Sequence, residues 1–257
     1  MTLARAIVRP PAANLADGLT TAPFGPPLYE KAREQHAAYC AALRAAGLAL
    51  TVLEPDAAHP DAHFVEDTAL LTPAHAVLTR PGAPTRLGEV AAMRMTLECF
   101  YESVDAIERP GTLDGGDVCD AGSRAYVGIS HRTNSAGAAQ LARLLERDGK
   151  TTTFVDVRDL DGILHLKSGL SYIGDGRFVA TDALAARLDV AAAQIVRVHP
   201  DEAYGANCVW VNGIVLIPAG HPRLQEDLAR AGYSSAALDV SEFRKMDGGL
   251  SCLSLRF

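Results

Sequence analysis

Four groups of residues in this chain have types and neighbours suited to chemistry. Cys252 follows the glycine pair Gly248-Gly249 and leads into Leu253, Leu255 and Phe257, which alternate as a half-buried strand does. His165 stands between Leu164 and Leu166, and Asp114 opens Asp114-Gly115-Gly116-Asp117. Glu66 and Asp67 come directly after Phe64-Val65, with Asp61 just upstream. These are nucleophile, base and carboxylate types. Taken singly, each has a plain alternative: a buried structural thiol, a satisfied core histidine, a turn. The carboxylate pair is harder to set aside, because adjacent charges within an apolar strand need cationic partners.

The elements that would position these groups recur along the chain. Residues 3–9 read as a short strand, residues 10–27 as a proline- and glycine-rich loop, and 28–47 as an amphipathic helix ending on Gly47. A strand at 48–53 follows. Four units of strand, turn, strand and helix come next: 64–71 with 76–79 and a helix at 88–101; 116–120 with 125–129 and a helix at 135–148; 169–174 with 178–181 and a helical stretch from Ala183; 208–211 with 214–217 and a helix at 223–231. In the last of these Asn212-Gly213 is a strong hairpin signal. The final strand, 252–257, finds its partner in the first, 3–9, and makes a fifth module. This pattern predicts an α/β five-bladed propeller with circular pseudo-symmetry, closed by its N- and C-terminal strands and forming one domain over residues 1–257. The chemical groups fall at the starts of four modules: Asp61, Glu66 and Asp67; Asp114 and Asp117; His165, Lys167 and Ser168; Asp247 and Cys252.

Composition narrows the function. The 257 residues are 48% hydrophobic and 21% charged, ordinary values for a globular protein, so a sizeable core is available. A net charge of −7 argues against nucleic acid or an anionic membrane as partner and leaves open an acidic pocket for a cationic small molecule. The N-terminus lacks the apolar run of a signal peptide and no run approaches a membrane span, so a cytoplasmic location is expected. Five widely spaced cysteines without a CxxC pair indicate neither a disulfide framework nor a structural zinc site. Cys40 and Cys99 on helices, and Cys119 and Cys208 within strands, read as structural.

Six stretches taken together resemble dimethylarginine dimethylaminohydrolases. They are Asp61-Ala62-His63-Phe64-Val65-Glu66-Asp67-Thr68-Ala69, Arg80-Pro81-Gly82-Ala83-Pro84-Thr85-Arg86, Thr112-Leu113-Asp114-Gly115-Gly116-Asp117-Val118, Val127-Gly128-Ile129-Ser130-His131-Arg132-Thr133-Asn134, His165-Leu166-Lys167-Ser168 and the Cys252 tail. The likeness runs nearly end to end. It implies the pentein fold of guanidine-modifying enzymes and hydrolysis of asymmetric dimethylarginine, or monomethylarginine, to citrulline and the amine, with no organic cofactor and no metal. By resemblance, Cys252 attacks the guanidinium carbon to give a covalent thiouronium intermediate. His165 is general acid and then general base, with Asp114 fixing its tautomer. Asp61, Glu66 and Asp67 grip the guanidinium, Arg86 and Arg132 bind the substrate carboxylate, Leu19 belongs to a lid, and Met246 and Asp247 complete the substrate contacts.

The chain departs from arginine deiminases of the same fold, which carry His-x-Asp where it has His165-Leu166-Lys167. Leu253 stands where some relatives have a second cysteine. Arginine deiminase or amidinotransferase activity is the alternative, and a non-catalytic pentein-fold binding protein a more distant one; a homodimer is left open.

Overall fold

The Asn212-Gly213 turn shows how this chain doubles back. Both residues take left-handed φ values, +46° and +95°, the conformation that a two-residue hairpin requires and that asparagine and glycine tolerate best. The computed structural model, which describes residues 2–257, repeats such an antiparallel pair in each of five small sheets.

The chain starts with β1 (Arg5–Val8), passes through α1 (Tyr29–Ala45) and returns as β2 (Ala49–Val52), parallel to β1. The first full blade is β3 (Ala69–Leu71), β4 (Ala76–Leu78), α2 (Glu89–Leu97) and β5 (Val104–Ala106). The second is β6 (Val118–Asp120), β7 (Arg124–Ile129), α3 (Ser135–Glu146) and β8 (Thr151–Asp156). The third is β9 (Leu170–Tyr172), β10 (Phe178–Ala180), α4 (Asp182–Ala185) and β11 (Ile195–Arg197). The fourth is β12 (Val209–Val211), β13 (Ile214–Pro218), α5 (Pro222–Arg230) and β14 (Ser234–Leu238). After the one-turn α6 (Ser241–Arg244), β15 (Leu255–Arg256) pairs antiparallel with β1, setting Ile7 opposite Leu255 and closing the ring.

Each sheet therefore has three strands: the first two antiparallel, the second and third parallel across the helix. The sequence pattern anticipates the pseudo-symmetry and the closing pair but misses four outer strands, β5, β8, β11 and β14. These edges are short or mix polar with apolar residues, as in Ser234-Ser235-Ala236, and what makes them strands is pairing with a buried middle strand. Helix α1 buries Ala32, His36, Tyr39, Cys40 and Leu43 against Val8, Phe243 and Leu250, the spacing of one helical face. No described helix is long and apolar enough to cross a membrane.

The inner strands also begin later than their sequence suggests. A 3-10 turn precedes each one: Val65–Thr68, Gly115–Asp117, Leu166–Ser168, Pro200–Ala206 and Ser251–Leu253. Glu66 and Asp67 are thus on a turn and not within a strand, and so is Cys252. The geometry matters, since successive strand residues point to opposite faces, whereas 3-10 neighbours fan out by about a third of a turn. The turn at 65–68 packs against those at 251–253 and 115–117, the latter against 166–168, and 166–168 against 200–206.

Candidate active site

His165 sits immediately before its 3-10 turn and is buried; its Nε2 lies 3.0 Å from Asp114 Oδ2. Asp114 is wholly enclosed, accepts the Gly82 N–H at 2.8 Å through Oδ1, and has Arg132 Nη1 3.5 Å from Oδ2. Burial alone would push the imidazole toward its neutral form. Asp67, Asp117 and Asp114 outweigh it and raise the His165 pKa to about 9. Gly116 lets this happen: a Cβ there would run into the His165 ring and Asp67, and its N–H donates to Asp67 Oδ1 at 2.9 Å.

Asp67 Oδ2 receives Arg86 Nη1 at 2.5 Å. Although burial opposes ionisation, Arg86 and His165 hold the Asp67 pKa down at about 2. Glu66, next along the turn, points elsewhere: Oε1 is 2.6 Å from Lys167 Nζ and 3.6 Å from Arg256 Nη2, and Oε2 accepts Ser251 Oγ at 2.7 Å.

Cys252 is half-buried, unlike Cys40, Cys119 and Cys208, which are buried. Enough protein surrounds its thiol that burial, and then the charges of Glu66 and Asp67, push it up to about 12. The structure thus joins Cys252, Glu66, Asp67, His165 and Asp114 in one site. Cys99 differs from its reading as a structural helix residue: it lies beyond the end of α2 and is exposed.

Three further groups have partners within the protein. Arg86 is buried and spends its donors on Glu89 (2.9 and 2.7 Å), Asp67 and the Phe64 carbonyl (3.0 Å), so that one Nη1 hydrogen is all it has left for a ligand carboxylate. It thereby holds Glu89 and Asp67 on one guanidinium. Asp61 has other partners than Glu66 and Asp67: both its oxygens accept the Leu19 N–H at 3.1 Å, burial raises its pKa against the pull of Arg86 and Arg132, and the charge of Asp67 also acts on it. The glycine pair before Cys252, read as room for a ligand, first makes room for protein. A Cβ on Gly248 would enter the Phe64 ring and one on Gly249 the Asn207 amide.

Leu19 lies on the 10–27 loop and is 39% exposed. Asp247, in a left-handed conformation (φ +57°), accepts the Thr21 N–H at 2.6 Å, while Thr20 Oγ1 donates to the Lys245 carbonyl at 2.7 Å. Met246 is buried beneath this loop, near Gly18. Asp247 and the Lys245 carbonyl therefore tie the loop to the segment that leads to Cys252, and Met246 lies against its Gly18 end. A recess of about 300 Å³ under it is lined by Asp17, Leu19, His59, Asp61 and Glu89. A larger cavity, about 960 Å³, is lined by the inner strands with Glu66, Lys167, Ser251 and Arg256 but by neither Cys252 nor His165.

Asp67, Asp114 and His165 bring three donor atoms within 4.8 Å of one another, the spacing of a metal site. Both carboxylates already face a guanidinium, Arg86 on Asp67 and Arg132 on Asp114. That donor set suits organic cations in the carboxylates' company. Sequence reasoning paired Asp117 with Asp114 but gave it no role; it lies fully buried, accepts Ser130 Oγ at 2.6 Å and the Leu166 N–H at 2.9 Å, and its charge acts on His165. The sequence pattern gives Asn207 and Ser251 no role, yet the structure bonds them to each other and Ser251 to Glu66. The signal for Asn207 is the fifth module start, Ala206-Asn207-Cys208, and that for Ser251 is its place directly before Cys252.

The arginine deiminase family model matches residues 57–205. The chain is 44% identical to N(G),N(G)-dimethylarginine dimethylaminohydrolase of Pseudomonas aeruginosa over 98% of each chain. Against the protein of the same name from Streptomyces coelicolor it is 36% identical, over 98% of this chain and 96% of the other. Among solved structures, a cysteine-to-serine variant of the Pseudomonas aeruginosa enzyme complexed with citrulline superposes with a TM-score of 0.96 at 42% identity, covering all of both chains. A histidine-to-glycine dimethylarginine dimethylaminohydrolase bearing an S-methyl-L-thiocitrulline adduct gives 0.95, also at 42% identity with full coverage. With its five pentein blades and a cysteine, a histidine and carboxylates gathered at their inner ends, this chain belongs to the dimethylarginine dimethylaminohydrolase family.

Proposed function

We propose that the protein hydrolyses Nω,Nω-dimethyl-L-arginine, and Nω-monomethyl-L-arginine, to L-citrulline and the corresponding amine. The observation that carries this reading is the ring of turns that sets Cys252 beside Glu66 and Asp67, with His165 bonded to Asp114 next to them.

Before substrate enters, both the thiol and the imidazole hold their protons at neutral pH. A guanidinium beside Asp67 offsets part of the negative charge that keeps Cys252 protonated, so the cation to be attacked also favours the thiolate, whose proton passes to solvent. The thiolate forms a C–S bond to the guanidinium carbon, and the C–N bond to dimethylamine breaks as His165 gives its proton to the departing nitrogen. Water then attacks the thiouronium carbon, neutral His165 takes one of its protons, and the C–S bond breaks as the remaining hydroxyl proton returns to sulfur, releasing citrulline and the Cys252 thiol.

At the other end a free amino acid carries an ammonium and a carboxylate. Asp61 serves the first. Arg132, with the remaining Nη1 hydrogen of Arg86, serves the second. Lys167 is an ammonium held by Glu66 where a deiminase would have a carboxylate, so an unmethylated guanidinium finds one partner fewer here.

The decisive experiment offers arginine, monomethylarginine and dimethylarginine to the purified protein and measures citrulline, with mass spectrometry for an adduct on Cys252. Dimethylarginine and monomethylarginine are expected to turn over well ahead of arginine. Arginine as the preferred substrate would make the protein a deiminase, the reading that its family-model match keeps open. Cys252→Ser should lower turnover by on the order of 10³-fold or more while substrate still binds.

A further inference from the structure

Four of the five turns, each taken with the residue before it, supply a side chain to the proposed chemistry, and Pro200–Ala206 does not. Asn207, which follows it, is 5% exposed and uses every polar hydrogen it has. Its Oδ1 accepts the backbone N–H of Ser251 at 3.0 Å, and its Nδ2 donates to the Lys167 carbonyl at 2.9 Å and to Ser251 Oγ at 3.1 Å. The amide orientation is determined by these partners, since reversing it would set N–H against N–H and oxygen against the Lys167 oxygen. Ser251 Oγ, having accepted from Asn207, gives its single proton to Glu66 Oε2.

Ser251 is the residue before Cys252, and Lys167 is two residues after His165. One planar amide thus ties the turn that carries the thiol to the turn that carries the imidazole, and through Ser251 it orients Glu66. Gly249 is kept free of a side chain at the point where this amide fits.

We infer that Asn207 is a positioning residue that sets the separation and orientation of the Cys252 and His165 turns; the inference rests on the reading of those two as the catalytic pair. An error of an ångström between reacting groups costs on the order of 10²-fold in rate, so losing this strut should act on kcat. Aspartate at this position would keep the shape and the acceptor for Ser251 but could donate neither to Lys167 nor to Ser251 Oγ.

The test compares wild type with Asn207→Asp and Asn207→Ala in steady-state turnover of dimethylarginine, thermal melting, and the rate of Cys252 alkylation by iodoacetamide, which needs neither substrate nor His165. Both variants are expected to lose about 10- to 100-fold in kcat with KM changed less than about threefold. Alkylation per folded molecule should stay within about threefold for Asn207→Ala. Wild-type kcat in Asn207→Asp would show that only shape matters and overturn the proposal. So would losses of turnover and alkylation that merely track the folded fraction. Should Asn207→Ala not fold, the isosteric Asn207→Asp decides by its kcat alone. Wild type that turns over no methylarginine would sink the proposed reaction instead, a different outcome from a wild-type-like Asn207 variant.

Discussion

At the scale of single residues the site is a balance of charges. Asp67 is held ionised at a pKa of about 2, His165 is raised to about 9 by the carboxylates around it, and the Cys252 thiol is pushed to about 12 by burial and the same carboxylates. Asp67 acts on both, so Asp67→Asn makes a signed prediction: removing one negative charge favours thiolate and disfavours imidazolium. The pH profile of Cys252 alkylation by iodoacetamide should move to lower pH, and the His165 titration, followed by NMR, should move down as well. An alkylation profile that stays put would mean that Asp67 does not set the thiol's state. The residue types were visible in the sequence; their commitments were not. Arg86 reads as a free cation by motif, yet its partners Glu89 and Asp67 are buried with it.

Among elements, the 3-10 turns carry the chemistry and the strands behind them hold the turns. Helix α1 was legible because its buried face repeats every three or four residues, and the outer strands were not, because their pairing partners lie far along the chain. One consequence of the way α1 packs concerns acid. His36 on α1 and His63 before the first blade are buried, each with an Nε2 that finds no partner among the described residues, and His63 is packed against Phe64 and Phe243. Burial pushes their pKa values down to about 4 and about 3; Arg86 and His36 add to the effect on His63. In the unfolded chain both titrate near 6.5, so it takes up protons that the folded protein refuses. Their stabilising effect is complete above about pH 6.5 and is lost as the pH falls toward 4. Melting temperature should therefore drop by several degrees between pH 6.5 and 4.5. A flat profile would show that neither ring stays neutral for the reason given.

The whole molecule is a ring whose closure holds the nucleophile. β15 begins three residues after Cys252 and pairs with β1, Phe257 O accepts from the N–H groups of Ala4 and Arg5 at 2.9 and 2.7 Å, and the Phe257 ring packs on Phe100 and Tyr101. Deleting Leu255–Phe257 removes one buried and one half-buried apolar side chain, each worth about 2–4 kcal/mol. Loss of most turnover together with a melting temperature lowered by about 10 °C or more is expected; full activity would show that the ring needs no closing strand. The sequence by itself determined the repeat, its closure and the residue types at four of the five blade starts, because strand alternation, hairpin turns and helix periodicity are local patterns. Only the tertiary structure decided which groups meet. Ser251 reaches Glu66 across 185 positions, and Asn207 spans 40 to Lys167. Phe64 and the Asn207 amide fill the room left by Gly248 and Gly249. Such contacts depend on how the blades curve around a common axis, and no window of the sequence short enough to show a period contains both partners.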